Sequence, residues 1–175
     1  GCKRFDPRAD DGPLLLNKMH INNVFCDQGG MYISGRRTKA LLRFDGEKVS
    51  VMTTLPPGVH NARPYGDGVL FNDTEADIVR LEEPNTQKAW RVPKFAEHKL
   101  THTNLDDTKI ARQGFARGLC LIDEEHFAVG SSPSTVSIYD MKKPRPNQVA
   151  NLSLDIRNAI HGLSEWPYAW PTQSS

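Results

Sequence analysis

Three histidines and two arginines are the residues whose type and placing could do chemistry. His20, His60 and His161 each open a short stretch of mixed polar and apolar residues, and Asn22, Asn23, Asn61, Arg63 and Arg117 lie on stretches of the same kind. Three neutral imidazoles gathered around one point would suit Zn²⁺ or another borderline divalent metal, leaving a position for water or substrate. Without metal, the same set could bind an anion or small polar ligand through Arg117 and the amides, with a histidine as acid or base. A third role is structural, a histidine at the start of a strand bonding the backbone of its neighbour. Arg117 stands between Ala116 and Gly118. If buried it needs a partner, which either a bound anion or a neighbouring carboxylate would supply.

The elements that must position these residues are short strands. Twelve prolines and thirteen glycines punctuate the chain. Between them lie apolar runs of strand length, with no sustained helical period. Three segments align. One runs from His20-Ile21-Asn22-Asn23-Val24-Phe25 through a turn at Asp27 to Gly30, then Met31 to Gly35, Ala40 to Gly46 and Val49 to Leu55. The next has His60 to Tyr65, a turn at Gly66-Asp67-Gly68, Val69 to Asp73, Ala76 to Leu81 and Ala89 to Pro93. The last has Ala116 to Leu121, a turn at Asp123-Glu124-Glu125, His126 to Gly130, Thr135 to Asp140 and Val149 to Leu154. The openings at His20, His60, Ala116 and His161 are 40, 56 and 45 residues apart, near the roughly 40 to 50 residues of a four-stranded propeller blade, the widest interval carrying a long loop.

An isolated four-stranded sheet cannot bury both faces, so such units stack around an axis lined by their first strands. The sequence therefore predicts an all-β chain, a β-propeller of four-stranded antiparallel blades at 19–57, 58–113 and 114–156. Pro13-Leu14-Leu15-Leu16, within a lead segment 1–18, reads as the outer strand of a preceding blade, and 157–175 as an inner strand and tail. A β-sandwich would give similar strand spacing but requires no repeated four-strand pattern. Propellers close with four blades or more, so about three blades make half of a six-bladed ring. A homodimer or missing blades would complete it. On this arrangement His20, His60 and His161 converge at one end of the axial channel.

Composition narrows the partners. The chain has 175 residues, and 22 Lys and Arg nearly balance 21 Asp and Glu, so no net field recruits nucleic acid or an anionic membrane. No apolar run is long enough to span a bilayer. Arg36-Arg37 with Lys39, and Lys142-Lys143 with Arg145, read as solvated turns. Cys2, Cys26 and Cys120 form no C-x-x-C pair, which favours a reducing, cytoplasmic setting. Cys26 and Cys120 sit in apolar contexts as small buried hydrophobes, and Cys2 is a conceivable lipid anchor. His98 and His102 lie in the long polar loop 94–113, a solvated loop or a lid. His126 reads as surface, Asn72-Asp73-Thr74-Glu75 as turn chemistry, and the serines at 131, 132 and 134 lack the strand-to-helix elbow that a serine nucleophile needs. Trp166 to Pro171 reads as a hydrophobic clasp.

Val59-His60-Asn61-Ala62-Arg63-Pro64 followed by Val69-Leu70-Phe71-Asn72-Asp73 resembles a motif of an uncharacterised bacterial family of six-bladed propellers. That family has a Pro-His-Ser-Pro-Arg inner strand there, so Asn61 and Ala62 depart from it. Gly114-Phe115-Ala116-Arg117-Gly118-Leu119 with Val129-Gly130-Ser131-Ser132 is similar to its Gly-Phe-x-Arg-Gly-Leu and Val-Gly-x-Ser strands, and His20-Ile21-Asn22 to its His-x-Asn strand. More loosely the chain resembles the gluconolactonase-like and strictosidine-synthase-like group. The acidic residues that hold calcium in the lactonase-like branch have no counterpart on these inner strands. The expectation is a binding propeller gripping a small polar or anionic ligand in its axial channel. A metal-dependent lyase or hydrolase and a protein-interaction platform are the alternatives.

Overall fold

A computed structural model describes residues 19–104, 112–166 and 168. Twelve strands form among them: β1 (Ile21–Asp27), β2 (Gly30–Gly35), β3 (Ala40–Phe44), β4 (Val49–Thr54), β5 (Val59–Tyr65), β6 (Gly68–Asp73), β7 (Ile78–Glu83), β8 (Thr86–Arg91), β9 (Ala116–Leu121), β10 (His126–Ser131), β11 (Thr135–Asp140) and β12 (Pro146–Asn151). They pair in chain order as three antiparallel four-stranded sheets, β1 to β4, β5 to β8 and β9 to β12. A short 3-10 turn, Glu97–Lys99, interrupts the long loop. The chain is thus an all-β partial propeller of three blades. No helix among the described residues is long and apolar enough to cross a membrane.

Burial follows from stacking. The middle blade is covered on both sides, so all six residues of β6 are buried. Val69 and Phe71 point into a cluster shared with Tyr32, Leu41 and Leu55 of the first blade. Leu70, between them, points the other way, into a cluster with Leu119, Phe127, Val129 and Tyr139 of the third. Alternate side chains of one strand therefore serve two interfaces, as the period of two requires. Phe127 stacks on Tyr139 at 4.9 Å, and Trp90 meets its edge at 4.9 Å. The polar tips of the two larger rings also cross between blades. Trp90 Nε1 donates to the Lys143 carbonyl (2.7 Å) and Tyr139 Oη to that of Arg91 (3.0 Å).

The outer strands depart from the sequence expectation. In the second blade the outermost strand is Thr86–Arg91 rather than 89–93, entered by a tight turn with Glu83 opposite Thr86. In the third it is Pro146–Asn151 rather than 149–154. Both carry exposed polar residues, Thr86 to Lys88 and Asn147 to Gln148, because an edge strand at the rim has water on one side, and no apolar run marks them. The third strand of the second blade starts at Ile78, since Asp73 accepts the Ala76 N–H (3.2 Å) and organises the preceding turn.

Other expectations change as well. Cys120 is buried but Cys26 is exposed, because it alternates with half-buried Phe25 and shares the uncovered side of β1 with Val24. Residues 157–166 form no strand, having no ladder partner among the described residues. They run along the third blade, with Asn158 accepting from the Ser134 N–H (3.1 Å) and Ile160 donating to the Ser131 carbonyl (3.4 Å). That is the path an innermost strand of a further blade would take. Trp166 and Tyr168 are exposed and pack on each other at 5.2 Å. The lead segment with Cys2 and Leu14 to Leu16, and residues 167 and 169–171 of the clasp, lie outside the described residues.

Candidate functional site

Each innermost strand slips its register by one residue near the same end. The slip falls between Ile21 and Asn23 in β1, between His60 and Arg63 in β5, and between Ala116 and Gly118 in β9. An extra residue bends a strand and re-aims its side chains. Counted from the regular ladder, the equivalent residues are Asn22, His60 and Arg117. Each stands three positions before the residue that faces the third residue of the neighbouring strand, in the pairs Phe25–Tyr32, Arg63–Leu70 and Cys120–Ala128. His20 and His60 are therefore not repeats of one position, as their similar openings suggest. His20 precedes β1 in a left-handed conformation (φ 45°), and its carbonyl accepts the Arg36 N–H at 3.0 Å.

These three equivalent residues converge on one cleft of about 390 Å³. His20, Arg36, Phe115 and His161 complete its lining. Phe115 is the buried floor. The Arg117 guanidinium lies 4.3 Å from its ring centroid and the His60 ring packs against it edge-on at 5.6 Å, with the His20 ring 6.1 Å beyond. Arg117 Nη1 donates to His161 Nε2 at 2.6 Å. Since a guanidinium can only donate, His161 is neutral and carries its proton on Nδ1.

The electrostatics are one-sided, with two arginines and no carboxylate lining the cleft. Arg36 reaches Glu75 at 3.1 Å on the exposed surface. Arg117 has no carboxylate partner among the described residues, and burial, then the charges of Arg112 and Arg36, lower its pKa. Burial pushes the His60 imidazole down to about 4 against the pull of the Gly58 carbonyl, and the charges of Arg117, His20 and Arg36 add to the fall. Burial and then Arg117 lower His161 also. At neutral pH the cleft presents guanidinium cations and the neutral imidazoles of His60 and His161 over an aromatic floor. Such a set holds an oxyanion by charge-assisted hydrogen bonds.

The remaining expected residues are placed differently. Asn22 and Asn23 spend amide N–H groups on the next blade, donating to the carbonyls of Val59 (2.9 Å) and Ala62 (3.2 Å). Both therefore tie blades together, and Asn22 also lines the cleft. Asn23, Asn61 and Arg63 line a second cleft with Phe25 and Cys120. His20, His60 and His161 share the first cleft, yet no group of three or more His, Cys, Asp or Glu among the described residues is placed to hold a metal ion. The expected Zn²⁺ set is thus not assembled. Arg117 takes the place between the histidines, and a cation there opposes a second one.

Sequence reasoning missed Arg36 and Phe115. Arg36 reads as a solvated turn residue, and only the packing of the β2–β3 turn over the β5 entrance brings it to the cleft. Phe115 precedes β9, and its place in the motif with Arg117 was the available signal. His102 pairs with Asp155 (3.1 Å) and Thr101 bridges Asp155, so the described start of the long loop is tied to the exit of the third blade. His126 bonds Asp123 at 3.0 Å within its turn. Ser132 Oγ donates to the carbonyls of Ile156 and Asn158, and Asp73 pairs with Arg80.

No family model matches the sequence, and no curated protein does. Among solved structures, the chain is similar to U3-55K (TM-score 0.52, 14% identity, 75% of this chain and 36% of that one). It is also similar to the WD40 repeats of RRP9 (TM-score 0.51, 15% identity, 75% and 36%). At these identities the likeness shows the fold, a WD40-like propeller, and the chain spans about a third of the length of the chains it matches.

Proposed function

We propose that this chain is a binding propeller that holds a small oxyanion-bearing ligand in the cleft of His20, Asn22, Arg36, His60, Arg117 and His161. One observation carries this: Arg117, half-buried on Phe115, has a neutral histidine and no carboxylate as its partner. A guanidinium so placed has donor capacity left, and an anion both satisfies it and offsets its lost hydration. The repeated register slip supports the same conclusion, because it turns one residue per blade toward a shared point. Calorimetric titration with inorganic phosphate and with citrate tests it. Saturable binding that weakens at least tenfold in Arg117→Gln is expected, and no binding at millimolar anion, or an unchanged affinity in Arg117→Gln, contradicts it.

The ring is completed by more blades. Ile21, Val24, Val51 and Met52 are exposed on the first blade, and Val149 and Leu152 on the third. In a propeller such side chains meet the next blade. A second copy of this three-blade arc is the partner proposed for these open faces. Light scattering is expected to give a mass near twice 19.6 kDa, and a monomer at micromolar concentration contradicts the paired arcs.

A further inference from the structure

The second cleft, of about 400 Å³, lies three residues further along the same innermost strands, where Phe25, Arg63 and Cys120 are the equivalent positions. At about 3.3 Å per residue this puts it roughly 10 Å down the axis from Arg117. Its chemistry is different. The Arg63 guanidinium lies 4.0 Å from the Phe25 ring centroid, its Nε is buried with no hydrogen-bond partner, and no carboxylate pairs with it among the described residues. Asp27 acts on it only at long range, and Glu165, exposed at the rim, forms no ion pair with it. Phe25, Val24 and Leu163 share the lining with Asn23, Asn61, Ser164 and Glu165.

A buried donor left unpaired gives up its hydration with nothing in return, and a guanidinium in such surroundings is the more demanding for its charge. The first cleft offers several donors around one point and suits a compact, highly charged oxyanion. Here a single guanidinium stands over an aromatic ring, with Val24 and Leu163 beside it. We infer that this cleft is a separate site for a monocarboxylate carried on an apolar body, an aliphatic or aromatic acid. Arg63 takes the carboxylate, Asn61 lies beside it, and the Phe25 ring and Leu163 border the hydrocarbon. The site stands independently of the oxyanion cleft around Arg117.

Side-chain ¹⁵N NMR of the full chain, following the arginine Nε–Hε signals, tests both clefts at once. Titration with hexanoate is expected to shift the Arg63 signal saturably, whereas inorganic phosphate shifts that of Arg117. Arg63→Gln should weaken hexanoate at least tenfold, with Arg63→Lys intermediate because a point charge cannot reproduce the fork. If Arg63→Gln does not fold, the wild-type titration decides alone. Hexanoate that leaves the Arg63 signal unmoved, or moves only Arg117, overturns the second site. Phosphate that fails at Arg117 while hexanoate succeeds at Arg63 overturns the first cleft and leaves the second standing.

Discussion

Arg117 Nη1 stands 2.6 Å from His161 Nε2, joining the innermost strand of the third blade to the segment that follows it. The contact makes the cleft sensitive to protonation, because His161 must be neutral to accept it. Burial and Arg117 hold its pKa below the ordinary histidine value. A bound anion favours the protonated ring and raises that pKa. By linkage, anion affinity then rises as pH falls through the His161 titration. A rise of one unit corresponds to about tenfold tighter binding of a fully ionised anion at acid pH. Histidine ring NMR with and without sulfate measures it, and affinity independent of pH between 7.5 and 5 counts against the contact.

His60 should make the fold acid-sensitive. Burial holds its pKa in the folded chain at about 4, below the ordinary histidine value of 6.5. The unfolded chain therefore binds more protons between those values, and stability rises with pH across the window. The contribution is complete above the unfolded pKa and is lost as pH falls toward 4, by roughly 3 kcal/mol in all. His60→Gln should flatten that part of the profile. Urea unfolding of both proteins at pH 7 and 4.5 checks it, and parallel profiles would contradict the burial of a neutral ring.

Gly130 controls how closely the segment after β12 can lie. A Cβ there would meet Ile160 Cγ2 at 2.5 Å and the Ile160 carbonyl at 2.9 Å. Gly130→Ala should push this segment off the third blade and carry His161 away from Arg117. We expect a stability loss of about 1 to 3 kcal/mol and severalfold weaker anion binding, measured by denaturation and calorimetry. Unchanged anion affinity would mean that His161 does not shape the cleft.

Phe127 is the pivot between the second and third blades, fully buried between Trp90 and Tyr139. Phe127→Ala should cost about 3 to 5 kcal/mol, read from the urea midpoint at constant m-value. A loss below 1 kcal/mol would mean that the two blades do not share this core.

Much of the blade pattern is legible because interior strands are apolar on both sides. Val69-Leu70-Phe71 announces β6, and the strands at Ala116–Leu121 and Thr135–Asp140 fall where the residues place them. The outermost strands are hidden by the same physics, since Thr86-Gln87-Lys88 faces water and looks like loop. At the site, the sequence offers Arg117, His60 and His161, and the cleft gathers them. It does not reveal the register slips, which depend on pairing between strands rather than on residue type. For that reason His20 looks like a repeat of His60, when Asn22 and Arg117 are the true counterparts. Arg36 was hidden because a turn residue's neighbours across a blade junction leave no local pattern.

The most direct test is a crystal structure of the chain grown with selenate, whose anomalous signal marks its position without ambiguity. The account predicts selenate in the first cleft, within hydrogen-bond distance of the Arg117 guanidinium and bordered by His60 and His161. A cleft without selenate, with Arg117 turned onto a carboxylate of a neighbouring blade, would contradict it.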